Sequence, residues 1–185
     1  MAIETLIAQY GLFAILLGAA VEGETVVFIG GVLAHRGLLS FTGVAIAASI
    51  GSFVADQIFF LIGRYARGSA RVQAAMARPI FVRVTGLLEQ YPTAFILAFR
   101  FIYGMRTISP IAIGVSQVPT GKFVVLNAVA AAIWGPLIAG VGYVFGTTIQ
   151  RIMSQLPIDP HAAIFVIVVL IIAGFVAFHV AYRRH

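Results

Sequence analysis

The stretch Phe95-Ile-Leu-Ala-Phe-Arg100-Phe-Ile-Tyr-Gly-Met-Arg106-Thr-Ile-Ser-Pro110-Ile-Ala-Ile-Gly114 sets two arginines in an otherwise apolar segment. An arginine at the centre of a bilayer costs roughly 3 kcal/mol on insertion scales. On one continuous helix, at ~100° per residue, a spacing of six would leave these cations about 120° apart, with no shared protected face. Gly104 and Pro110 offer a different solution, a helix broken inside the membrane whose irregular backbone lines a cavity instead of lipid. Cations grouped around such a break suit an anionic ligand.

The rest of the chain agrees with a membrane setting. Of 185 residues, 61% are hydrophobic and 10% charged, with a mean hydropathy of +1.05. A soluble domain carries about 25% charged residues. An all-α integral membrane protein follows, a single transmembrane domain over 1–185. Net charge is +6. In so apolar a chain this excess reports topology and anionic lipid contact, and nucleic acid is not an expected partner. With no cysteine, disulfides and thiolate metal sites are excluded. Glu4 stands where a secretory signal carries positive charge, so the first apolar segment is expected to be retained.

Working outward, each half of the chain reads as a short interrupted pair followed by a full span. In the first half, Thr5–Val21 ends at Glu22-Gly23-Glu24, and only ten apolar residues, Thr25–Ala34, follow. A spanning helix needs about 20. The segment 5–34 is therefore expected to be a re-entrant hairpin, and 38–62 a transmembrane helix carrying Asp56. The connection 64–91 is basic, with five arginines and no acid from Arg64 to Arg83. In the second half, 93–118 is the second re-entrant hairpin and 123–149 a transmembrane helix, kinked at Trp134-Gly135-Pro136. A polar linker then leads to a last transmembrane helix, 162–182. The positive-inside rule puts the Arg64–Arg83 connection, Lys122 and Arg183-Arg184 in the cytoplasm, which makes the two hairpins enter from opposite faces. Arg64, Arg67, Arg71 and Arg78 would share one face of an interfacial helix on anionic headgroups; plain topology signalling accounts for them equally well.

Intramembrane charges are the candidate site. The first hairpin supplies Glu22 and Glu24, the second Arg100 and Arg106, and the charges sum to zero. Pairing between them is expected, either as static ion pairs or as pairs that open. Arginine's planar fork suits phosphate oxygens. A half-helix starting near Thr25 or Thr107 would add backbone donors. Two acids one residue apart repel each other, which makes Glu22 or Glu24 a candidate proton carrier. Asp56 is a third, although its position also fits the cytoplasmic interface. Gly104, Pro110, Asn127 and Trp134 are supporting residues, with a structural role the plainer reading for Asn127. No metal cluster, cofactor site, His-Glu-x-x-His or Gly-x-Ser-x-Gly is present, so enzymatic activity is not expected.

The arginine stretch, with Phe123, Asn127, Trp134 and Gly142-Tyr143-Val-Phe-Gly146, resembles the second half of the DedA family of bacterial inner-membrane proteins (VTT superfamily). Glu22, Glu24, the run Gly30–Gly37, Gly51, Asp56 and Gly63-Arg64 resemble the first half. The chain departs from the family pattern in the short Glu22-Gly23-Glu24 loop and in Phe99, where a glycine is usual. The resemblance implies two opposed re-entrant hairpins and a lipid transporter. The implied substrate is undecaprenyl phosphate, with dependence on the proton gradient and with Glu22, Glu24, Arg100 and Arg106 at the family's charged positions. The expected activity is a flippase for a phosphate-headgroup lipid, either a polyprenyl phosphate or an anionic phospholipid, with protons as co-substrate and a homodimer as one admissible assembly. The alternative is a proton-coupled transporter of a small solute or ion. A membrane-embedded enzyme and a non-transporting assembly factor are weaker readings.

Overall fold

The computed structural model describes residues 2–155 except 78, 103 and 104, and every element in it is helical. The expected helix 162–182 and the residue Gly104 lie outside the described residues. The chain divides into two compact units, 1–146 and 147–185.

Helix α1 (Ala2–Val21) and helix α2 (Glu24–His35) form the first hairpin. Gly23 turns the chain with φ of 93°, a left-handed conformation that favours glycine. Glu24 sits in the first turn of α2, where a carboxylate complements the helix dipole. With 12 residues, α2 is about 18 Å long. Helix α3 (Phe41–Tyr65) follows, begun by Ser40, whose hydroxyl accepts from the Gly43 amide at 3.1 Å.

The basic connection folds into two pieces, α4 (Ala70–Met76) and α5 (Pro79–Gln90). This corrects the expectation of one arginine face for three of its four members: Arg64 ends α3, Arg67 lies in the turn, and Arg71 lies in α4, while Arg78 lies outside the described residues. Gly68 and Ser69 interrupt the helix, and the Ser69 hydroxyl accepts from the Val72 amide as α4 begins. Helix α5 carries apolar residues on two faces: Ile80, Val82 and Leu87 are exposed. Phe81, Val84 and Leu88 are buried in protein against the second hairpin.

That hairpin consists of α6 (Pro92–Ala98), a 3-10 turn (Phe99–Phe101) and α7 (Ile108–Val115). The break predicted between two short arms is present. Pro110 does not make it. It lies in the first turn of α7, where the missing N–H costs nothing because first-turn amides have no intrahelical acceptor. Helix α8 (Thr120–Gln155) carries Pro136 internally. Among the described residues, two stretches are long and apolar enough to cross a membrane, Phe41–Tyr65 and Thr120–Thr148, close to the expected 38–62 and 123–149.

Each hairpin's second arm crosses a long helix at glycine. A Cβ on Gly63 of α3 would overlap the carbonyl of Ile111 in α7, and one on Gly114 would overlap that of Phe60. In the same way Gly31 of α2 meets the Ala139 carbonyl of α8, and Gly142 meets that of Phe28. α7 thus packs on the long helix of the first half, and α2 on that of the second. Two apolar clusters result. One gathers Phe60, Phe99, Ile113 and Phe123 with the α5 stripe; the other gathers Ile15, Val27, Val44, Trp134 and Ala139.

Because backbone faces backbone at these crossings, added methyls cannot be absorbed by a side-chain shift. Gly63→Ala and Gly142→Ala should each destabilise the fold by about 1–3 kcal/mol, lowering Tm by about 2–4 °C per kcal/mol. Gly140→Ala, with nothing within 4 Å of the added atom, should cause no loss. Thermal unfolding of the purified chain checks this; equal Tm values for all three variants would contradict the crossings.

Candidate functional site

A polar layer separates the two apolar clusters along both long helices. On α3, Ala48, Ser52, Asp56 and Phe60 recur every four residues, each advanced by about 40° around the helix. All four are buried, with Ala48 in one cluster, Phe60 in the other and the polar pair between them. On α8, Asn127 lies between Phe123 and Trp134, which belong to different clusters. Into this layer the second hairpin inserts Arg100. Helix α6 ends after seven residues, and the tighter 3-10 turn carries the guanidinium inward, leaving Arg100 2% exposed.

The guanidinium there finds three acceptors. Nη1 donates to Ser52 Oγ at 3.0 Å. Nη2 donates to Asp56 Oδ2 and to Asn127 Oδ1, both at 2.5 Å. A buried cation without a counter-ion would be prohibitive, and Asp56 supplies it. Satisfaction is incomplete: Arg100 Nε, Asp56 Oδ1 and Asn127 Nδ2 are buried with no partner, and so is Ser109 Oγ of α7.

Arg106 is held differently. Only half-buried, it extends from the tip of the second hairpin to that of the first. Its Nη2 donates to the carbonyl oxygen of Ala19, in the last turn of α1, where carbonyls lack intrahelical donors and the dipole favours a cation. Its guanidinium lies over the Trp134 ring at 5.1 Å, a cation–π geometry. It also occupies the place a side chain at residue 23 would take, since a Cβ on Gly23 would overlap Nη1. That Nη1 has no hydrogen-bond partner among the described residues.

One expectation therefore fails. Neither Glu22 nor Glu24 is ion-paired with either arginine; Asp56 is the partner of Arg100. Asp56 is fully buried in protein, because its position on the α3 stripe faces the arginine turn. Glu22 is exposed and Glu24 half-buried at the first hairpin tip, flanking the glycine that Arg106 abuts. Asn127 and Trp134 do support the arginines, one each. Ser52 was missed, although its spacing of four from Asp56 was legible. Arg64 was read as a topology signal, yet its Nη2 donates to the Val118 carbonyl at 2.5 Å and its guanidinium lies over Phe60, tying the exit of the second hairpin to α3.

The VTT domain matches residues 21–144, which include both hairpin tips, both arginines and Asp56. The chain is 36% identical to inner membrane protein YohD of Escherichia coli K12, over 93% of the chain and 88% of that protein. It is 27% identical to undecaprenyl phosphate transporter A of Bacillus subtilis, over 77% of the chain and 76% of the relative, and 24% identical to inner membrane protein YqjA of E. coli K12, over 72% and 62%. No solved structure matches the chain. The chain belongs to the VTT-domain, or DedA, family of membrane proteins.

Proposed function

We propose that this protein carries a lipid with a phosphate headgroup across the bacterial inner membrane, with undecaprenyl phosphate the leading substrate and protons the coupling ion. The observation that carries the reading is Arg106: a half-buried cation at the meeting of the two hairpin tips, with one guanidinium nitrogen that has no hydrogen-bond partner among the described residues. The names of the E. coli and B. subtilis relatives support the location and the substrate class. A phosphate would compete with the Ala19 carbonyl for Nη2 while engaging Nη1, using the bidentate geometry that arginine favours. The isoprenoid tail would stay in lipid. No bond in the substrate is made or broken in this reading.

Arg100 has a different part. Its two terminal nitrogens are occupied by Ser52, Asp56 and Asn127, so it anchors the break in the second hairpin. Protonation of Asp56 would remove its counter-ion and loosen that anchor, which gives a proton a route to hairpin movement. Glu22 and Glu24, beside Arg106 at the tip, are the other proton-coupling candidates. In this reading both hairpins are re-entrant, the Arg64–Arg83 connection and the C-terminus are cytoplasmic, and the tips meet within the membrane.

Three measurements test the proposal. In liposomes, Arg106→Ala should abolish transport of labelled undecaprenyl phosphate, and Arg106→Lys should recover only a small part, because lysine lacks the fork. Full activity in Arg106→Lys, or wild-type flux of a small anion with none of the lipid, would refute phosphate-lipid recognition at Arg106. Trp134 is the chain's single tryptophan; its emission should therefore change when a short-chain polyprenyl phosphate draws Arg106 away, and stay constant in Arg106→Ala. Finally, the chain has no cysteine, so Gln90→Cys and Gly121→Cys, on the flanks of the second hairpin, can be labelled alone. Both should react from the cytoplasmic side, whereas labelling from opposite sides would mean that the hairpin crosses the membrane.

A further inference from the structure

At the end of α7 remote from Arg106, a cavity of about 500 Å³ opens between α5 and the loop that leads into α8. The eight residues of α7 separate the two places by about 12 Å. The volume falls in the range of small-molecule sites, about 300–1,000 Å³. Met76, Leu88, Ala112 and Val115 give it apolar walls. Thr85 and Ser116 also line it, but their hydroxyls are spent on the carbonyls of Phe81, at 3.0 Å, and Ile113, at 2.7 Å. The charged groups left at the rim are one carboxylate, Glu89, and one ammonium, Lys122, both exposed. They come from different elements, α5 and α8, and are not ion-paired with each other.

We propose that this cavity binds a membrane lipid with a zwitterionic phosphoethanolamine headgroup. Lys122 takes the phosphate, Glu89 takes the primary ammonium, and an acyl chain lies along Leu88 and Val115. A cation and an anion on different elements, not paired with each other and bordering an apolar floor, complement such a molecule at both ends. A purely anionic glycerol headgroup satisfies Lys122 but meets repulsion from Glu89. A phosphocholine headgroup carries the right charges but has no N–H to donate to a carboxylate. The site does not use Arg106 or the buried Arg100 cluster, so the inference stands apart from the transport reading.

Native mass spectrometry of the full chain, equilibrated with equal amounts of phosphatidylethanolamine, phosphatidylglycerol and phosphatidylcholine of matched acyl chains, tests it. Wild-type protein should retain phosphatidylethanolamine several-fold over the other two. Glu89→Gln should shift retention toward phosphatidylglycerol, and Lys122→Gln should reduce retention of all three. The exchange Glu89→Lys with Lys122→Glu should restore the phosphatidylethanolamine preference, which loss of fold in a single variant would not mimic. Equal retention of the three lipids by wild type, a wild-type preference for phosphatidylglycerol or phosphatidylcholine, or a preference untouched by either single variant would overturn the proposal.

Discussion

A guanidinium that is almost wholly buried must have a counter-ion and acceptors, and meeting that demand for Arg100 organises the rest of the domain. The counter-ion, Asp56, and one acceptor, Ser52, come from α3; the other acceptor, Asn127, comes from α8. A residue in the break of the second hairpin is thereby fixed to both long helices at once. Removing one member of such a pair costs about 3–5 kcal/mol because the survivor stays buried and charged. Buried ion pairs contribute little net stability compared with apolar packing. Three polar atoms left without partners around Arg100 mark the layer as a costly arrangement, which is what a site needing charge at depth accepts.

The two arginines, six residues apart, divide the electrostatic work. Arg100 is closed off by protein groups. Arg106 is closed off only by a helix-end carbonyl, a tryptophan face and the bare backbone of Gly23. A single neutral carbonyl is a weaker competitor for guanidinium than a phosphate, which brings a full opposite charge and two oxygens for bidentate bonding. The glycine crossings bring each hairpin onto the long helix of the other half, and so bring the two tips together at Arg106. The Arg64 tie to Val118 and the stacked Phe60 and Phe123 rings, 4.4 Å apart, fix the other end of the second hairpin, beside the cavity between α5 and the loop into α8.

Much of this was legible in the sequence, and the failures share a cause. Run lengths of ten apolar residues after Glu24 and of seven before Arg100 revealed two interrupted pairs, because helix length is set locally by composition and by breakers. The long spans over 38–62 and 123–149 were off by about three residues at their starts, where Ser40 and Thr120, not the first apolar residue, begin the helix. The charged residues themselves were found, but their pairing was not. Counting charges suggested Glu22 and Glu24 for the arginines, whereas the partner is set by which face of α3 meets the 3-10 turn, a tertiary fact. The stripe Ala48-Ser52-Asp56-Phe60 was the available clue: a polar pair at helical spacing between two apolar residues implies a polar neighbour at the same depth. The arginine face of 64–91 misled because the periodicity ran across Gly68-Ser69, where the helix stops.

The central claim is that Arg100 and Asp56 exist for each other, leaving Arg106 for the substrate. A double-mutant cycle tests it most directly, comparing Asp56→Asn, Arg100→Gln and the double variant by Tm and folded yield. Each single variant leaves a buried charge unpaired and should lower Tm and yield sharply; the double variant, with no charge left in the layer, should recover much of the loss. Additive losses, with the double variant the least stable of the three, would contradict the account.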